Sequence, residues 1–168
     1  MKPSAQCTGE WGRRKALLFC FFCSLVGPTL SYRRTQQEAD QDRRALTDLA
    51  AATGAANWVR SSGGWLNDDA SDDVCDWDLV GCDGGGRVKL LTLSFNNLSG
   101  TVPASIANLT HLEDLDLEYN SLAGSVPDVS GLKALTQLGL GGNGFTGPLP
   151  ASICSVLSSV TNNGSLAT

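Results

Sequence analysis

Glu113, Asp114, Asp116 and Glu118 place four carboxylates in six residues, and Phe95 and Tyr119 occupy matching places in two similar segments. Negative charge at that density draws a cationic peptide or a basic protein surface, and exposed aromatics often anchor a partner. Solvated carboxylates that keep a sheet edge soluble are the plainer reading of the same run. A second acidic group, seven carboxylates from Asp68 to Asp83, invites calcium. It lacks the loop glycine and closing glutamate of an EF-hand, so a solvated acidic loop is expected and no metal is assigned. Residues 139–144 (GLGGNG) satisfy GxGxxG after a strand. Phe145 and Pro148 follow where a helix would have to begin, so no dinucleotide and no cofactor is expected. His111 is the single histidine, GxSxG and HExxH are absent, and Cys154 has no base in view. Without those constellations the chain is predicted not to be an enzyme.

The elements that must position these residues are legible as a repeat. Three segments, beginning at Val88, Leu112 and Leu135, align at a spacing of 24 and then 23 residues, the signature of a solenoid whose coils share one core. Anchors recur in register: Leu91, Leu115, Leu138; Leu93, Leu117, Leu140; Asn96, Asn120, Asn143; Gly100, Gly124, Gly147; Pro103, Pro127, Pro150. Each repeat resolves into strand, turn and convex return. Leucines two apart share one side of a strand. The asparagine satisfies turn backbone and the backbone of the next coil, glycine permits the bend, and proline begins a return that cannot pair as strand. Burying three to five aliphatic side chains per coil is worth roughly 1.5–3 kcal/mol each before entropy is subtracted, so no coil folds alone.

Ahead of the repeats, Ala45, Leu46, Leu49, Ala50 and Thr53 fall on one face at helical spacing, with Asp42 as the expected cap and Gly54 as the stop. Trp58, Trp65 and Trp77 supply a large apolar area for a small cap. Residues 75–82 and the glycine turn from Gly84 to Gly86 read as a strand and a tight connection into the first repeat strand. Residues 1–31 read as a secretory signal, with a basic Arg13-Arg14-Lys15 stop, an apolar run from Ala16 to Leu30 and small residues before Tyr32. An uncleaved anchor is the alternative, but the apolar run is short against the ~20 residues of a spanning helix. Residues 32–168 would then carry 8 Lys/Arg against 16 Asp/Glu, a balance that excludes nucleic acid as partner. Cys7, Cys20 and Cys23 leave with the signal. In an oxidising compartment Cys75 and Cys82 are expected to pair, leaving Cys154 without a match.

Residues 42–154 resemble plant-type extracellular leucine-rich repeat proteins, whose repeat reads LxxLxLxxNxLxGxxPxxhxxLxx, h being hydrophobic. LSFNNLSGTVP, LEYNSLAGSVP and LGGNGFTGPLP carry the match. The segment before them is similar to that family's N-terminal cap, in DRRAL from Asp42, TGAANW, GGW and CDWDLVGC. Leu79 stands where the cap motif usually has glycine. The resemblance implies an α/β solenoid: a leucine-rich repeat horseshoe segment with a parallel concave sheet, about three repeats of 23–24 residues and a helical, disulfide-bonded cap. It also implies a receptor ectodomain or a secreted recognition or inhibitor protein, and none of the matching motifs is catalytic. The boundaries expected are 1–31 signal, 32–41 flexible leader, 42–87 cap, 88–157 repeats and 158–168 an uncapped tail, as in a truncated longer array.

Residues between the inward leucines project from the concave face, which nominates Lys89, Thr92, Ser94, Phe95, Asp114, Asp116, Glu118, Tyr119 and Gln137 as ligand-binding residues. Phe95 and Tyr119 are expected to form an aromatic ledge. Asn97, Asn108 and Asn163 open N-glycosylation triplets, and Asn108 lies on the return, where a glycan leaves the sheet clear. The function expected is secreted or cell-surface recognition of a protein, peptide or glycan. The alternatives are the ectodomain of a longer receptor, such as a receptor-like kinase, and a structural wall or matrix protein. A membrane enters only through an uncleaved N-terminal segment or a span further along.

Overall fold

The computed structural model of the chain describes residues 30–60, 63–66 and 73–153. The expected signal up to Ser31, the thiols Cys7, Cys20, Cys23 and Cys154, the triplet at Asn163, the tail 158–168 and most of the acidic loop after Leu66 lie outside them, wholly or nearly so. Two units divide the chain, Met1–Gln36 and Gln37–Thr168. Of the first, only the opening backbone of one helix is described. The second holds the cap, the coils and the core.

Helix α1 spans Leu30–Thr53. It therefore begins well before Asp42, and residues 32–41, expected as a flexible leader, are helical; the cleavage point expected before Tyr32 falls in its first turn. Ala45, Leu46, Leu49 and Ala50 are buried at the spacing that the sequence predicts. Gly54, with φ 70°, stops the helix in the left-handed conformation. Asp42 is no cap. Its carboxylate is 1 % exposed and takes a two-pronged ion pair from Arg87, Nε to Oδ2 at 2.8 Å and Nη2 to Oδ1 at 2.8 Å. Val88 N donates to the same Oδ2 at 3.1 Å, and Glu38, one turn earlier, reaches Arg87 Nη1 at 3.2 Å. This fork fastens α1 to the start of the first repeat strand.

The cap core is the tryptophan cluster. Trp58 and Trp65 meet edge to face at 4.8 Å, and Trp65 and Trp77 lie 5.2 Å apart. Gly64 is required there: with φ 84° it holds a conformation costly to other residues, and a Cβ on it would fall 2.2 Å from Trp77 Cδ1. Cys75 and Cys82 form the expected disulfide. The strand expected across 75–82 is shorter, since Val74–Asp76 make a 3₁₀ turn and only Val80–Cys82 (β1) are extended. Between them Leu79 takes φ 65°, so the turn that glycine usually serves is kept at a steric cost of about 1–2 kcal/mol. An inverted order follows: Leu79→Gly unfolds at higher urea concentration than Leu79→Ala, because alanine loses the packing and keeps the strain.

β1 pairs antiparallel with β2 (Val88–Thr92), in the register Val80 with Leu91 and Gly81 with Leu90. After β2 come β3 (Ser99–Gly100), β4 (Asp114–Asp116), β5 (Ser121–Gly124), β6 (Gln137–Gly139) and β7 (Gly144–Phe145). The concave sheet runs β1-β2-β4-β6, parallel from β2 onward, with Leu91, Leu115 and Leu138 in one row. A second parallel sheet, β3-β5-β7, follows each turn. The return carries a 3₁₀ helix at Ala104–Asn108. Between these layers Leu91, Leu93, Leu98, Ile106, Leu109, Leu112, Leu115, Leu117 and Leu122 are wholly buried. The third coil is more open: Leu149 is 45 % exposed where Val102 and Val126 are 8 % and 7 %, because among the described residues nothing covers its far side.

Asparagines join the coils, but toward the preceding coil rather than the next. Asn120 Oδ1 accepts from Asn96 N and Leu98 N, each at 3.0 Å, and Nδ2 donates to Leu93 O at 2.9 Å as well as to its own coil. Asn143 repeats the pattern on Leu122 N and Leu117 O. Asn96 reaches into the cap, accepting from Val59 N at 3.0 Å and Arg60 N at 2.6 Å.

A second tie to the cap comes from His111, whose Nδ1 lies 2.9 Å from Asp83 Oδ2, while Asp83 Oδ1 accepts from Gly85 N and Arg87 N. The His111 hydrogen bond, followed by that from Arg87 N, lowers the Asp83 carboxyl from 3.8 to about 2. A carboxyl lowered in the folded state stabilises when ionised, so its contribution is present above the unfolded value near 3.8 and is lost as pH falls through about 2. Melting temperature should therefore fall more steeply between pH 4 and pH 2 in the native chain than in Asp83→Asn, as scanning calorimetry would record.

Candidate ligand-binding face

Strand geometry sorts the predicted residues into rows across β2, β4 and β6. The entry row is Lys89, Glu113 and Thr136, and it is tied to itself: Lys89 Nζ pairs with Glu113 Oε2 at 3.2 Å, and Thr136 Oγ1 donates to Glu113 O at 3.0 Å. Lys89 thus balances Glu113. The next rows are Leu90, Asp114 and Gln137, then Thr92, Asp116 and Gly139. Leu90, Thr92 and Gln137 are exposed, and Asp114 and Asp116 half-buried. Ser94, Glu118 and Gly141 follow, joined by Phe95 N to Glu118 O at 3.0 Å and Tyr119 N to Gly141 O at 2.9 Å. Ser94 departs from expectation. It is 8 % exposed, and its carbonyl takes the Arg60 guanidinium at 2.9 Å, so it faces the cap and not a ligand.

Phe95, Tyr119 and Gly142 close the strands. All three hold left-handed backbone, with φ of 53°, 52° and 67°. Phe95 and Tyr119 stack, ring centroids 4.4 Å apart and planes 16° from parallel, yet remain 60 % and 56 % exposed. The aromatic ledge is therefore present, on backbone that bulky residues adopt at a cost of about 1–2 kcal/mol each. Strain of that kind concentrates at functional sites.

Coil two lies over coil three because coil three is glycine there. A Cβ on Gly139 would come 2.9 Å from Glu118 Cγ and 3.0 Å from Asp116 Oδ1, and one on Gly142 would come 2.7 Å from Tyr119 Cδ1. The GxGxxG segment thus supplies a backbone floor, continuing the repeat's register from β6 to β7. Asp116 Oδ1 also accepts from Glu118 N at 3.0 Å. Asp114 has only neutral cross-strand neighbours in Leu90 and Gln137. Burial first, and then the charge of Asp116, push its carboxyl above the ordinary value. Among the described residues no cation pairs with Asp114, Asp116 or Glu118.

Away from this face, Asp73 accepts from Cys75 N at 3.0 Å and Asp78 from Gly63 N at 2.9 Å, so these members of the acidic group organise turns. Asn108 is exposed on the return, while Asn97 Nδ2 is engaged with Asn57 O at 3.0 Å. Sequence reasoning missed the Asp42–Arg87 fork and the role of His111. The i, i+4 acids Glu38 and Asp42 were the only local signal for the first.

Comparison with known proteins agrees with this geometry. Residues 86–145 match the family model described as leucine rich repeat. Phytosulfokine receptor 1 of Arabidopsis thaliana is 32 % identical over 139 residues, 81 % of this chain and 13 % of the receptor. Among solved structures, a plant ice-binding protein shows a TM-score of 0.61 at 28 % identity, covering 73 % of this chain and 38 % of that one. The BIR2 ectodomain of Arabidopsis thaliana shows a TM-score of 0.60 at 31 % identity, covering 71 % and 63 %. The chain spans less than a fifth of the length of the first curated relatives it matches.

Proposed function

Since residues 86–145 are leucine-rich repeats of the plant extracellular type, we propose that the chain is a non-enzymatic recognition module that binds a protein or peptide on its concave face, outside the cell. The single observation that supports this most is the stacked pair Phe95 and Tyr119, held open to solvent on strained backbone at the strand ends. A sheet built only to be soluble gains nothing from two large exposed rings. Relatives divide between a receptor and an ice-binding protein, so the fold alone does not choose a ligand. Carboxylates beside stacked aromatics support a polypeptide with basic side chains, whose charge they complement. Localisation at the cell surface, in a longer receptor, is part of the proposal; among the described residues no helix is long and apolar enough to cross a membrane.

A random peptide display library selected against the oxidised chain tests this reading. Selected clones should lose binding when Thr92 is changed to Trp on the concave face and keep it when Asn108 is changed to Trp on the return. Equal loss from both, or from neither, would contradict the assignment of the face.

A further inference from the structure

Resting on that reading of the face, we infer that the ledge takes an arginine side chain of its partner, the guanidinium plane extending the Phe95 and Tyr119 stack and pairing with the carboxylates of Glu118 and Asp116. Parallel strands repeat every ~4.8 Å, close to the centroid separation of offset-stacked rings. Phe95 and Tyr119 use that coincidence, with centroids 4.4 Å apart. The third place in the row belongs to Gly142, which has the same left-handed backbone and no side chain. Tyr119 leans over Gly142, so the stack is two planes long and a third plane can extend only its outer, solvent-facing part, where the rings stay 60 % and 56 % exposed.

Charge selects what extends it. Glu118 and Asp116 lean over Gly139 as Tyr119 leans over Gly142, so carboxylates and ring cover one glycine floor. Lys89 is spent on Glu113 and Arg60 on the Ser94 carbonyl beside Glu118, and the neighbours of Asp114 and Asp116 on β2 and β6 are Leu90, Gln137, Thr92 and Gly139, none of them cationic. The surface is anionic and aromatic together. A neutral ring would satisfy the stack and leave the carboxylates unpaired; a lysine ammonium would satisfy the charge and forgo plane-on-plane contact. Guanidinium does both, since it is planar, always charged and presents a fork of donors that matches a carboxylate.

Titration with two synthetic peptides, Ac-GGRGG-amide and Ac-GGKGG-amide, followed by the ring proton resonances of Tyr119 and Phe95, tests the inference. The arginine peptide should bind about five- to ten-fold more tightly than the lysine peptide and shift both rings. Tyr119→Asn, which tolerates the left-handed backbone, should remove the preference and weaken the arginine peptide about ten-fold. Glu118→Gln should weaken both peptides and flatten their salt dependence. Equal affinity for the two peptides, or arginine binding indifferent to Tyr119→Asn, would reduce the site to a generic acidic surface and overturn the inference. Absence of arginine binding would overturn it too, while display-selected peptides still sensitive to Thr92→Trp would leave the concave face standing as the binding surface.

Discussion

Asp42→Asn should cost about 3 kcal/mol, more than any single leucine at the rim of the third coil, because it removes the buried counter-charge of the Arg87 guanidinium and leaves it only the part-exposed Glu38. The loss is larger than the worth of the pair. Arg87 is 6 % exposed and Asp42 1 %, so water cannot replace either partner, and the one oxygen of an asparagine cannot serve Arg87 Nε, Arg87 Nη2 and Val88 N together. Urea unfolding at constant m-value should show the drop, and the double variant Asp42→Leu with Arg87→Met should recover most of it. A double variant no better than Asp42→Asn would mean that the fork does more than neutralise itself.

Asn120→Ala is the second large effect. One amide serves five backbone groups: the amides of Asn96 and Leu98 and the carbonyls of Leu93, Leu117 and Glu118. Leu117 O and Glu118 O keep Asn143 Nδ2 and Phe95 N, but truncation strands the amides of Asn96 and Leu98 and the Leu93 carbonyl between two coils, at about 1–3 kcal/mol for each group that water cannot reach, so a total near 3 kcal/mol or more is expected. Asn143→Ala should cost less, since its ladder joins the more open third coil. Hydrogen exchange separates this from general loosening: protection at Asn96 and Leu98 should collapse first.

What the sequence showed and what it hid divide along the range of the interactions. Five recurring columns announce the solenoid because each leucine and glycine answers to a local period, and Leu91, Leu115 and Leu138 do lie in one row. Trp58, Trp65 and Trp77 were readable for the same reason: so much apolar area has to meet. Asp42 was misread because the rule for helix caps looks a few residues ahead, whereas its partner Arg87 is 45 residues on. The second sheet was hidden by its size, strands of two to four residues set among the glycines and prolines that mark turns. At the candidate site Phe95 and Tyr119 were found by register, while the burial of Ser94 and the pairing of Lys89 depend on Arg60 and Glu113, which no periodicity exposes. The glycines at 139 and 142 drew notice in the sequence only as part of a GxGxxG segment unfit for a dinucleotide. They prove to be the floor on which the side chains of coil two lie.

Amide shift mapping of the isotope-labelled chain with a display-selected peptide tests most directly the proposal that stacked coils hold one row of outward residues for a partner. Perturbations should cluster at Thr92, Phe95, Asp114, Asp116, Glu118, Tyr119, Gln137 and Gly139, and leave the return at Ala104–Asn108 unmoved. Perturbations centred on that return or on the β3-β5-β7 sheet, with the concave strands silent, would contradict the account.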